Sequence, residues 1–206
     1  MEIESCFFED NSAGNSGGAI KLDRIPTPSV RNTEIINNTA TKGGAIDVYD
    51  CSLILENCLL VNNEATNYQG GALSNNKNYG DIINCTIGDN TSYGSGGGIY
   101  NISSSDITLT NTIIYGNSST ISDNNNFYNN GSTADFSYCS IEGGLPTFSG
   151  IIDSGNNIDE NPLFYDTYND DYRIISNSPC VDVGNNDANN QSYDVRGEGY
   201  ARIQNS

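Results

Sequence analysis

Six residues that follow four glycine-rich motifs carry side chains that could bind a sugar. The motifs read GGAIKL at 17, GGAIDVYD at 43, GGALSN at 70 and GGGIYN at 96. In a strand, alternation would turn the aliphatic residue of each motif inward and the next residue outward. The outward candidates are Lys21, Asp47, Tyr49, Ser74, Asn76 and Tyr100. Carboxylate, amide and aromatic groups on one face favour contact with a glycan, and an ordinary solvated sheet face is the alternative.

A second group of oxygen-bearing side chains lies in the segment DVGNNDANN at 182–190. Asp182, Asn185 and Asp187 lie on this glycine-containing loop, and Asp194 follows it. Hard oxygen ligands of this kind suit Ca²⁺, so calcium is the one cofactor that the sequence suggests. The spacing is not that of an EF-hand, and turns rich in Asn and Asp are common without metal. Both interpretations stay open.

Composition excludes several classes of function. The chain has 206 residues, no histidine, and 26 acidic against 8 basic residues, which gives a formal net charge of −18. Without histidine, Ser-His-Asp triads, Cys-His dyads and most zinc sites are excluded. The negative charge predicts that nucleic acid and anionic membranes are not partners. No stretch of the sequence is long and apolar enough to span a bilayer, so no membrane insertion of this chain is predicted.

The placement of these candidates depends on a repeat that runs through most of the chain. Six segments align on a central Cys or Thr, at steps of 27, 25, 27, 27 and 27 residues. The central residues are Cys6, Thr33, Cys58, Cys85, Thr112 and Cys139. Apolar residues lie three positions before and two positions after each of them, and an asparagine lies five positions after, with Gly144 in that place in the last segment. Apolar steps of two indicate short strands rather than helices, and the step of three indicates a corner.

Units of this kind cannot bury an apolar face alone, but stacked coils form a continuous core. We therefore predict an all-β fold, a right-handed parallel β-helix of about six coils of 25–27 residues with three short strands per coil. Glycine pairs would stack at one corner, and asparagines would form a hydrogen-bonded ladder at another. We predict coils over 1–144 and an irregular C-terminal coil and capping segment over 145–206. The side chains expected to cover the open end are Phe148, Leu163, Phe164, Tyr172 and Ile174.

The cysteines of the repeat share their position with two threonines, which predicts that they are small core residues. Cys58 and Cys85 would be neighbours in the stack at a spacing compatible with a disulfide, although side chains that point the same way make the bridge awkward. Cys51 and Cys180 lie outside the repeat position. Six cysteines allow 15 complete pairings, so the disulfide state stays open.

Two resemblances together cover nearly the whole chain. The GGA[I/L] motif and FFEDN at 7–11 resemble the repeats of chlamydial polymorphic outer-membrane proteins, although later coils have Ile or Leu in place of the phenylalanine. From about 111, the runs NTIIYGNSS, FSYCSIEGG, NIDENPLF and DDYRIISNSPCVDVGNND are similar to the end of bacterial right-handed parallel β-helix proteins of the choice-of-anchor Q kind. Both imply the fold and are nearly silent on activity. Members continue into a surface anchor, so the resemblance implies that this chain is a piece of a longer exported protein.

These observations predict a non-catalytic β-helix scaffold, adhesin-like or glycan-contacting, that is secreted or lies at a bacterial cell surface. The expected partner is a polysaccharide or a host or cell-surface glycan. The alternative is a polysaccharide lyase or glycoside hydrolase of the pectate-lyase-like β-helix class. A hydrolase needs two carboxylates at a defined separation, which occurs by accident in so acidic a chain. A lyase on an anionic polymer needs a strong base, and the basic residues form no visible motif, so no catalytic residues are predicted.

Overall fold

The chain forms a parallel β-solenoid in a computed structural model that describes residues 1–121, 125–188 and 193–196. Each coil contributes four short strand segments, and equivalent segments of successive coils pair in parallel, which gives four faces that we name sheets A, B, C and D in chain order. Leu73–Ile83 runs from sheet D into sheet A without a break, so these two faces are continuous. The predicted all-β parallel β-helix is confirmed.

The strands of each sheet follow one another along the solenoid axis. Sheet A contains Glu2–Glu4, Ser29–Arg31, Ile54–Glu56, the second part of Leu73–Ile83, Asp106–Thr110, Thr133–Ser137 and Ile151–Gly155. Sheet B contains Phe7–Glu9, Glu34–Ile36, Leu59–Val61, Thr86–Gly88, Ile113–Tyr115 and Ser140–Ile141. Sheet C contains Ser12–Ser16, Thr39–Lys42, Glu64–Ala65, Thr91–Ser92 and Ser118–Ser119. Sheet D contains Ile20–Asp23, Ile46–Cys51, the first part of Leu73–Ile83, Ile99–Ile102 and Phe127–Asn130, and we number coils 1 to 5 by these strands.

Two details of the coil differ from the prediction. The six strands of sheet B span five turns, so the solenoid has about five turns where six coils were predicted. Each coil has four strand segments rather than three, because the small residues after the ladder asparagine also pair between coils, as Ala40 does with Ala65.

Beyond the solenoid, Phe164–Asp166 and Asp171–Ile174 form an antiparallel hairpin around the 3₁₀ turn Thr167–Asn169, and a second 3₁₀ turn covers Asn186–Ala188. No helix among the described residues is long and apolar enough to cross a membrane.

The corners of each coil depend on residues with a left-handed backbone. Asn57 has φ 54° and lies between the sheet A and sheet B strands of its coil, and Asn62 with φ 56° lies between sheets B and C. Asn, Asp and Gly tolerate this conformation best. One such residue between two strands resets the alternation, so Leu55 and Cys58 are both buried although they are three positions apart. This is the physical origin of the step of three.

The glycine pairs occupy the corner between sheets C and D, as predicted. Gly43 has φ +60°, which favours glycine over residues with a side chain. A Cβ atom on Gly44 would lie 2.2 Å from the carbonyl oxygen of Gly71 in the next coil. The first glycine therefore makes the turn, and the second allows neighbouring coils to approach.

The predicted asparagine ladder is confirmed, with a correction at its last rung. Asn63 is fully buried, and both its backbone N–H and its Nδ2 donate to Oδ1 of Asn90 at 2.9 Å. The ladder ends on Asn126, whose Oδ1 accepts from Nδ2 of Asn117 at 2.9 Å, and not at Gly144. Asn126 directly precedes the sheet D strand of coil 5, so the chain after Asn117 reaches that strand within nine residues.

The Cys and Thr residues of the repeat make equivalent hydrogen bonds. Thr33 Oγ1 donates to the carbonyl oxygen of Arg31 at 2.7 Å, and Cys58 Sγ donates to that of Glu56 at 3.2 Å. A hydroxyl and a thiol thus serve the same corner, which explains why the two types share one position. The prediction of core residues holds for the buried cysteines and is wrong for Cys6, which is exposed in the first coil. All six cysteines are free thiols in the structure.

The C-terminal segment covers the solenoid in two ways. Leu145 and Ile151 pack against the main core just beyond the last coil. By contrast, residues 162–188 and 193–196, which we call the strap, contact the flank formed by sheet B. Tyr172 and Phe164 lie in a small apolar cluster with Ile36 and Val61 rather than over the open end, because these two aliphatic residues of sheet B point away from the main core and need cover. The division at 144 and 145 stays a prediction.

Polar contacts fix the strap to the corner residues of the solenoid. The Tyr172 hydroxyl donates to Oδ2 of Asp89 at 2.7 Å. Burial and this contact with Asp89 raise the pKa of Tyr172 well above its ordinary value, so the phenol stays protonated and donates. Asn111 and Asn185 exchange two hydrogen bonds, in which Asn185 N donates at 2.7 Å and Asn111 Nδ2 donates at 2.9 Å.

Candidate functional site

The six residues predicted to form a binding surface lie together on the outer face of sheet D. The registers between coils place them in two neighbouring rows. The first row is Lys21, Asp47, Ser74, Tyr100 and Tyr128, and the second row is Asp23, Tyr49, Asn76, Ile102 and Asn130. The corner positions that follow the second row are Arg24, Asp50, Lys77, Ser103 and Gly131. We call these three rows the outer face; a ligand-binding role for it stays a prediction.

The accessibility of the predicted residues differs along the first row. Lys21 is exposed and Tyr100 is half-buried, whereas Asp47 and Ser74 are only 3% and 2% exposed. The expectation that this whole row faces solvent is therefore wrong for Asp47 and Ser74. Lys42 reaches over from sheet C, and its Nζ lies 2.7 Å from Oδ1 of Asp47. This carboxylate is engaged by an ammonium group and is not open to a ligand.

An aromatic stack occupies the outer face in coils 4 and 5. The rings of Tyr100 and Tyr128 are 5.2 Å apart and inclined by 11°, and Phe148 contacts Tyr128 edge-on at 5.1 Å. Equivalent residues of paired strands lie about 4.8 Å apart, so aromatic residues in register on adjacent coils stack. Burial, and secondarily the neighbouring Tyr128, raise the pKa of Tyr100, so its hydroxyl is neutral near pH 7. In this stack the two ring faces are turned toward each other, so the rings form an apolar column that carries two tyrosine hydroxyl groups.

Sequence reasoning missed Tyr128 and Phe148 as members of this surface. The sequence around Tyr128 reads DNNNFYNN at 123–130 and has no glycine pair before the FYN, so this FYN was not aligned with the IYN of coil 4. The signal was present, because Phe127 and Tyr128 repeat the apolar-then-tyrosine order of Ile99 and Tyr100.

Basic side chains gather on the outer face in coils 1 to 3. The Arg24 guanidinium carbon and the Lys77 Nζ lie 5.7 and 5.5 Å from the centre of the Tyr49 ring. Such cation–π contacts hold both cations against the coil that lies between them. Together with Lys21 and Lys42, four of the eight basic residues lie on or reach this face. They come from three coils and only stacking brings them together, which is why the sequence showed no basic motif.

Two of the three carboxylates of the outer face are paired with cations. Asp23 lies 3.3 Å from Arg24, and Asp47 is bound by Lys42 as described. A glycosidase needs one carboxyl group kept protonated by its surroundings and a second one held ionised opposite it. A carboxyl group with a raised pKa is found elsewhere, at Glu34 on the flank, where burial raises the pKa first, nearby Asp194 raises it further and Arg196 lowers it.

Two of the four predicted calcium ligands, Asp194 and Asn185, have side-chain oxygens engaged with protein groups. Both oxygens of Asp194 accept from Nε of Arg196, at 3.0 and 2.8 Å. Asn185 Oδ1 accepts from the backbone N–H of Asp187 at 3.0 Å, and Asp182 is exposed on a left-handed turn. Within residues 1–121, 125–188 and 193–196, no three His, Cys, Asp or Glu side chains come together as a metal site. Calcium binding by this segment stays a prediction.

A cleft of about 880 Å³ lies between the strap and the flank of the solenoid. Its walls include the corner residues Asn84 and Asn111 on one side and Val181 and Arg196 of the strap on the other. Sequence reasoning gave no signal of it, because it exists only where the strap stands off from sheet B.

Comparison of the chain with protein families, with curated proteins and with solved structures finds no match. The description of the β-solenoid and of its outer face therefore rests on the sequence and structure of this chain alone.

Proposed function

We propose that this chain is a non-catalytic β-solenoid scaffold that contacts a glycan through the outer face of sheet D. The observation that carries the proposal is the stack of Tyr100 and Tyr128, extended by Phe148. The outer sides of the stacked rings offer apolar contact to the C–H groups of a sugar, and the tyrosine hydroxyls and neighbouring amides offer hydrogen bonds to its hydroxyl groups. Strands in a stacked sheet hold these groups rigidly, so little ordering is needed on binding.

The state of the carboxylates supports a scaffold over an enzyme. Asp23 and Asp47 are paired with cations, so neither is poised as a general acid or base toward a sugar on this face. The alternative function, a polysaccharide lyase or glycoside hydrolase, would need a catalytic pair that the described residues of the outer face do not present.

The resemblance to the repeats of chlamydial polymorphic outer-membrane proteins and to choice-of-anchor Q proteins supports a place outside a bacterial cell. An adhesin-like role at the cell surface or in a secreted form follows from that place, with a host or cell-surface glycan as the partner. The chain's composition, rich in Gly and with a net charge of −18, is consistent with a soluble, repulsive outer surface.

A glycan array tests this proposal when the wild type is compared with the Tyr100→Ala/Tyr128→Ala variant. We expect the wild type to bind one class of glycan and the double variant to lose most of that binding. Tyr168→Ala is the matched control, because this tyrosine is 93% exposed on the strap, away from sheet D.

The same preparations should be assayed for turnover of polygalacturonate, alginate and neutral glucans, with and without calcium. We expect no new reducing ends and no unsaturated products. Turnover that is lost in Lys21 or Asp47 variants would refute the scaffold and favour a lyase or hydrolase on sheet D.

A further inference from the structure

Among the residues that the structure describes, two lysines have no carboxylate partner. Seven of the eight basic residues lie in the described ranges, and Arg202 lies outside them. Five of the seven are paired within 4 Å of a carboxylate. The paired residues are Arg24, Arg31, Lys42, Arg173 and Arg196. Among the described residues, Lys21 and Lys77 have no carboxylate at that distance, although acidic residues outnumber basic ones by 26 to 8.

Both unpaired lysines are exposed on the outer face of sheet D. Lys21 lies in the first row of coil 1, and Lys77 lies at the corner position of coil 3. The outer face has three basic members, the two lysines and Arg24, against three acidic members, and Lys42 reaches it from sheet C, whereas the whole chain has 26 acidic and 8 basic residues. The outer face therefore lacks the acidic excess of a protein of net charge −18, and an anion can approach either lysine without displacing a carboxylate.

Coils 4 and 5 continue the same face without any charged residue. Their positions carry the tyrosine stack, Ile102 and Asn130, together with Ser103 and Gly131 at the corners. A ligand that matches the whole face therefore has groups for apolar contact and hydrogen bonding at one end and anionic groups at the other. Sugars that carry acidic groups combine both properties in one chain.

From this arrangement, we infer that the outer face of sheet D binds an acidic glycan, one with carboxylate or sulfate groups, laid along the solenoid axis. This inference rests on the proposed function and specifies its ligand. The sugar rings lie over Tyr100 and Tyr128, one anionic group pairs with Lys77 and another pairs with Lys21. Lys21 in coil 1 is four coils from Tyr128 in coil 5, so the contacts span about 19 Å at roughly 4.8 Å per coil.

Screening decides whether the local cations prevail over the negative charge of the whole molecule. At about 0.15 M salt the Debye length is about 8 Å, so most carboxylates on other faces are screened from a bound chain. Direct contacts between an ammonium group and an anion are shorter than this length and persist. Binding should therefore be measured at about 0.15 M salt, because at about 0.01 M the Debye length of about 30 Å exposes the ligand to the full net charge.

Two matched pairs of polysaccharides test the inference. Polygalacturonate is compared with its methyl ester, and dextran sulfate is compared with dextran, because the members of each pair differ in charge and share a backbone. We expect the wild type to bind at least one charged member about tenfold more tightly than its neutral counterpart, as two exposed charge contacts allow. Preference for the carboxylate pair identifies a uronate ligand, and preference for the sulfate pair identifies a sulfated one.

The variant Lys21→Gln/Lys77→Gln should bind charged and neutral members equally, and it keeps the tyrosine stack. The control Arg173→Gln/Arg196→Gln removes the same charge from the strap and should keep the tenfold preference. Circular dichroism verifies that each variant is folded.

Three outcomes would overturn the inference. Equal binding of charged and neutral members by the wild type, lost in Tyr100→Ala/Tyr128→Ala, would refute the acidic ligand and leave the proposed function standing. No binding to any of the four polymers or to any glycan on the array would refute both. Tighter binding of double-stranded DNA than of either charged polysaccharide would show that the face recognises anions without regard to sugar.

Discussion

Replacement of Asn63 by alanine tests the asparagine ladder, which links the coils at the corner between sheets B and C. The Asn63 side chain is fully buried. Its Nδ2 donates to Asn90 Oδ1 at 2.9 Å, to the carbonyl oxygen of Ile35 at 2.9 Å and to that of Val61 at 3.0 Å. Its Oδ1 accepts from the backbone N–H and from Nδ2 of Asn38, at 2.9 and 3.0 Å. The substitution removes these five hydrogen bonds.

The expected loss of stability follows from the partners left behind. Each neutral hydrogen bond contributes about 0.5–1.5 kcal/mol net, and a buried donor left without a partner costs about 1–3 kcal/mol. The Nδ2 group of Asn38 keeps two other acceptors, the carbonyl oxygens of Phe8 and Ile36, so its loss is small. The backbone N–H of Asn38 loses its acceptor. We expect the free energy of unfolding to fall by roughly 3–5 kcal/mol, with the fold retained.

Thermal unfolding followed by circular dichroism measures this loss. For a chain of this size, about 1 kcal/mol shifts the melting temperature by roughly 2–4 °C, so Asn63→Ala should melt roughly 6–20 °C below the wild type. Asn130→Ala is the control, because Asn130 is exposed on sheet D and its substitution should change the melting temperature by little. Equal melting of the two variants would refute the ladder, since Asn63 would then behave as an exposed turn residue.

Four further predictions concern the core, the corners and the loops. Leu60→Asp should abolish folding, because it places a carboxylate without a partner at a fully buried position. Thr66→Asp lies in an exposed loop and should fold. Circular dichroism of the two variants tests both expectations. Cys85→Thr should melt close to the wild type, and Cys85→Val should melt at a lower temperature. The reason is that Cys85 Sγ donates to the carbonyl oxygen of Ile83 at 3.2 Å, and the hydroxyl of Thr112 donates to the equivalent carbonyl oxygen in its own coil. A threonine variant that melts below the valine variant would contradict this expectation. Since the pKa of Glu34 is raised in the folded state, the folded protein holds its proton more tightly, and this contribution to stability is lost as pH rises above about 4.5 through the folded pKa. In Glu34→Gln, the melting temperature should therefore depend less on pH in this range. An unchanged dependence would show that the pKa of Glu34 is not raised by folding. Calcium should raise the melting temperature if the 182–194 segment binds it, with Asp187→Asn abolishing the effect; a rise that survives this variant would place the ion elsewhere.

Repetition made the architecture predictable from the sequence. Gly43 and Gly44 recur with their equivalents at a nearly fixed step, and so do Asn63 and its equivalents. In a stack, identical positions meet identical positions, so each recurring residue specifies its own contacts in the next coil. The buried registers, the stacked glycine pairs and the asparagine ladder therefore followed from spacing alone.

Features that break the period were not predictable in the same way. Asn126 occupies the position directly before the sheet D strand, where Ala72 and Gly98 lie in coils 3 and 4, and takes over the last rung of the ladder, which no alignment on the repeat shows. The strap lies on the flank because Ile36 and Val61 present apolar side chains outward from sheet B. A signal existed there, since two adjacent aliphatic residues in a strand cannot both face one core.

The candidate site was half predictable for a similar reason. The rows through Tyr49 and Tyr100 followed from alternation, because each lies at a fixed distance from its motif. The burial of Asp47 and the gathering of lysines depend on long side chains that cross between strands, as Lys42 does. Sequence spacing fixes where a Cα atom lies in a coil and leaves the reach of such side chains open.

The most direct test of the outer face is hydroxyl-radical footprinting of the tyrosines with and without bound polysaccharide. Protein is mixed with polygalacturonate or dextran sulfate at about 0.15 M salt, and oxidation of individual tyrosines is followed by mass spectrometry. We predict that the ligand protects Tyr100 and Tyr128 and leaves Tyr168 on the strap as reactive as before. Protection of Tyr168 with no change at Tyr100 and Tyr128 would contradict the account and place ligand binding away from sheet D.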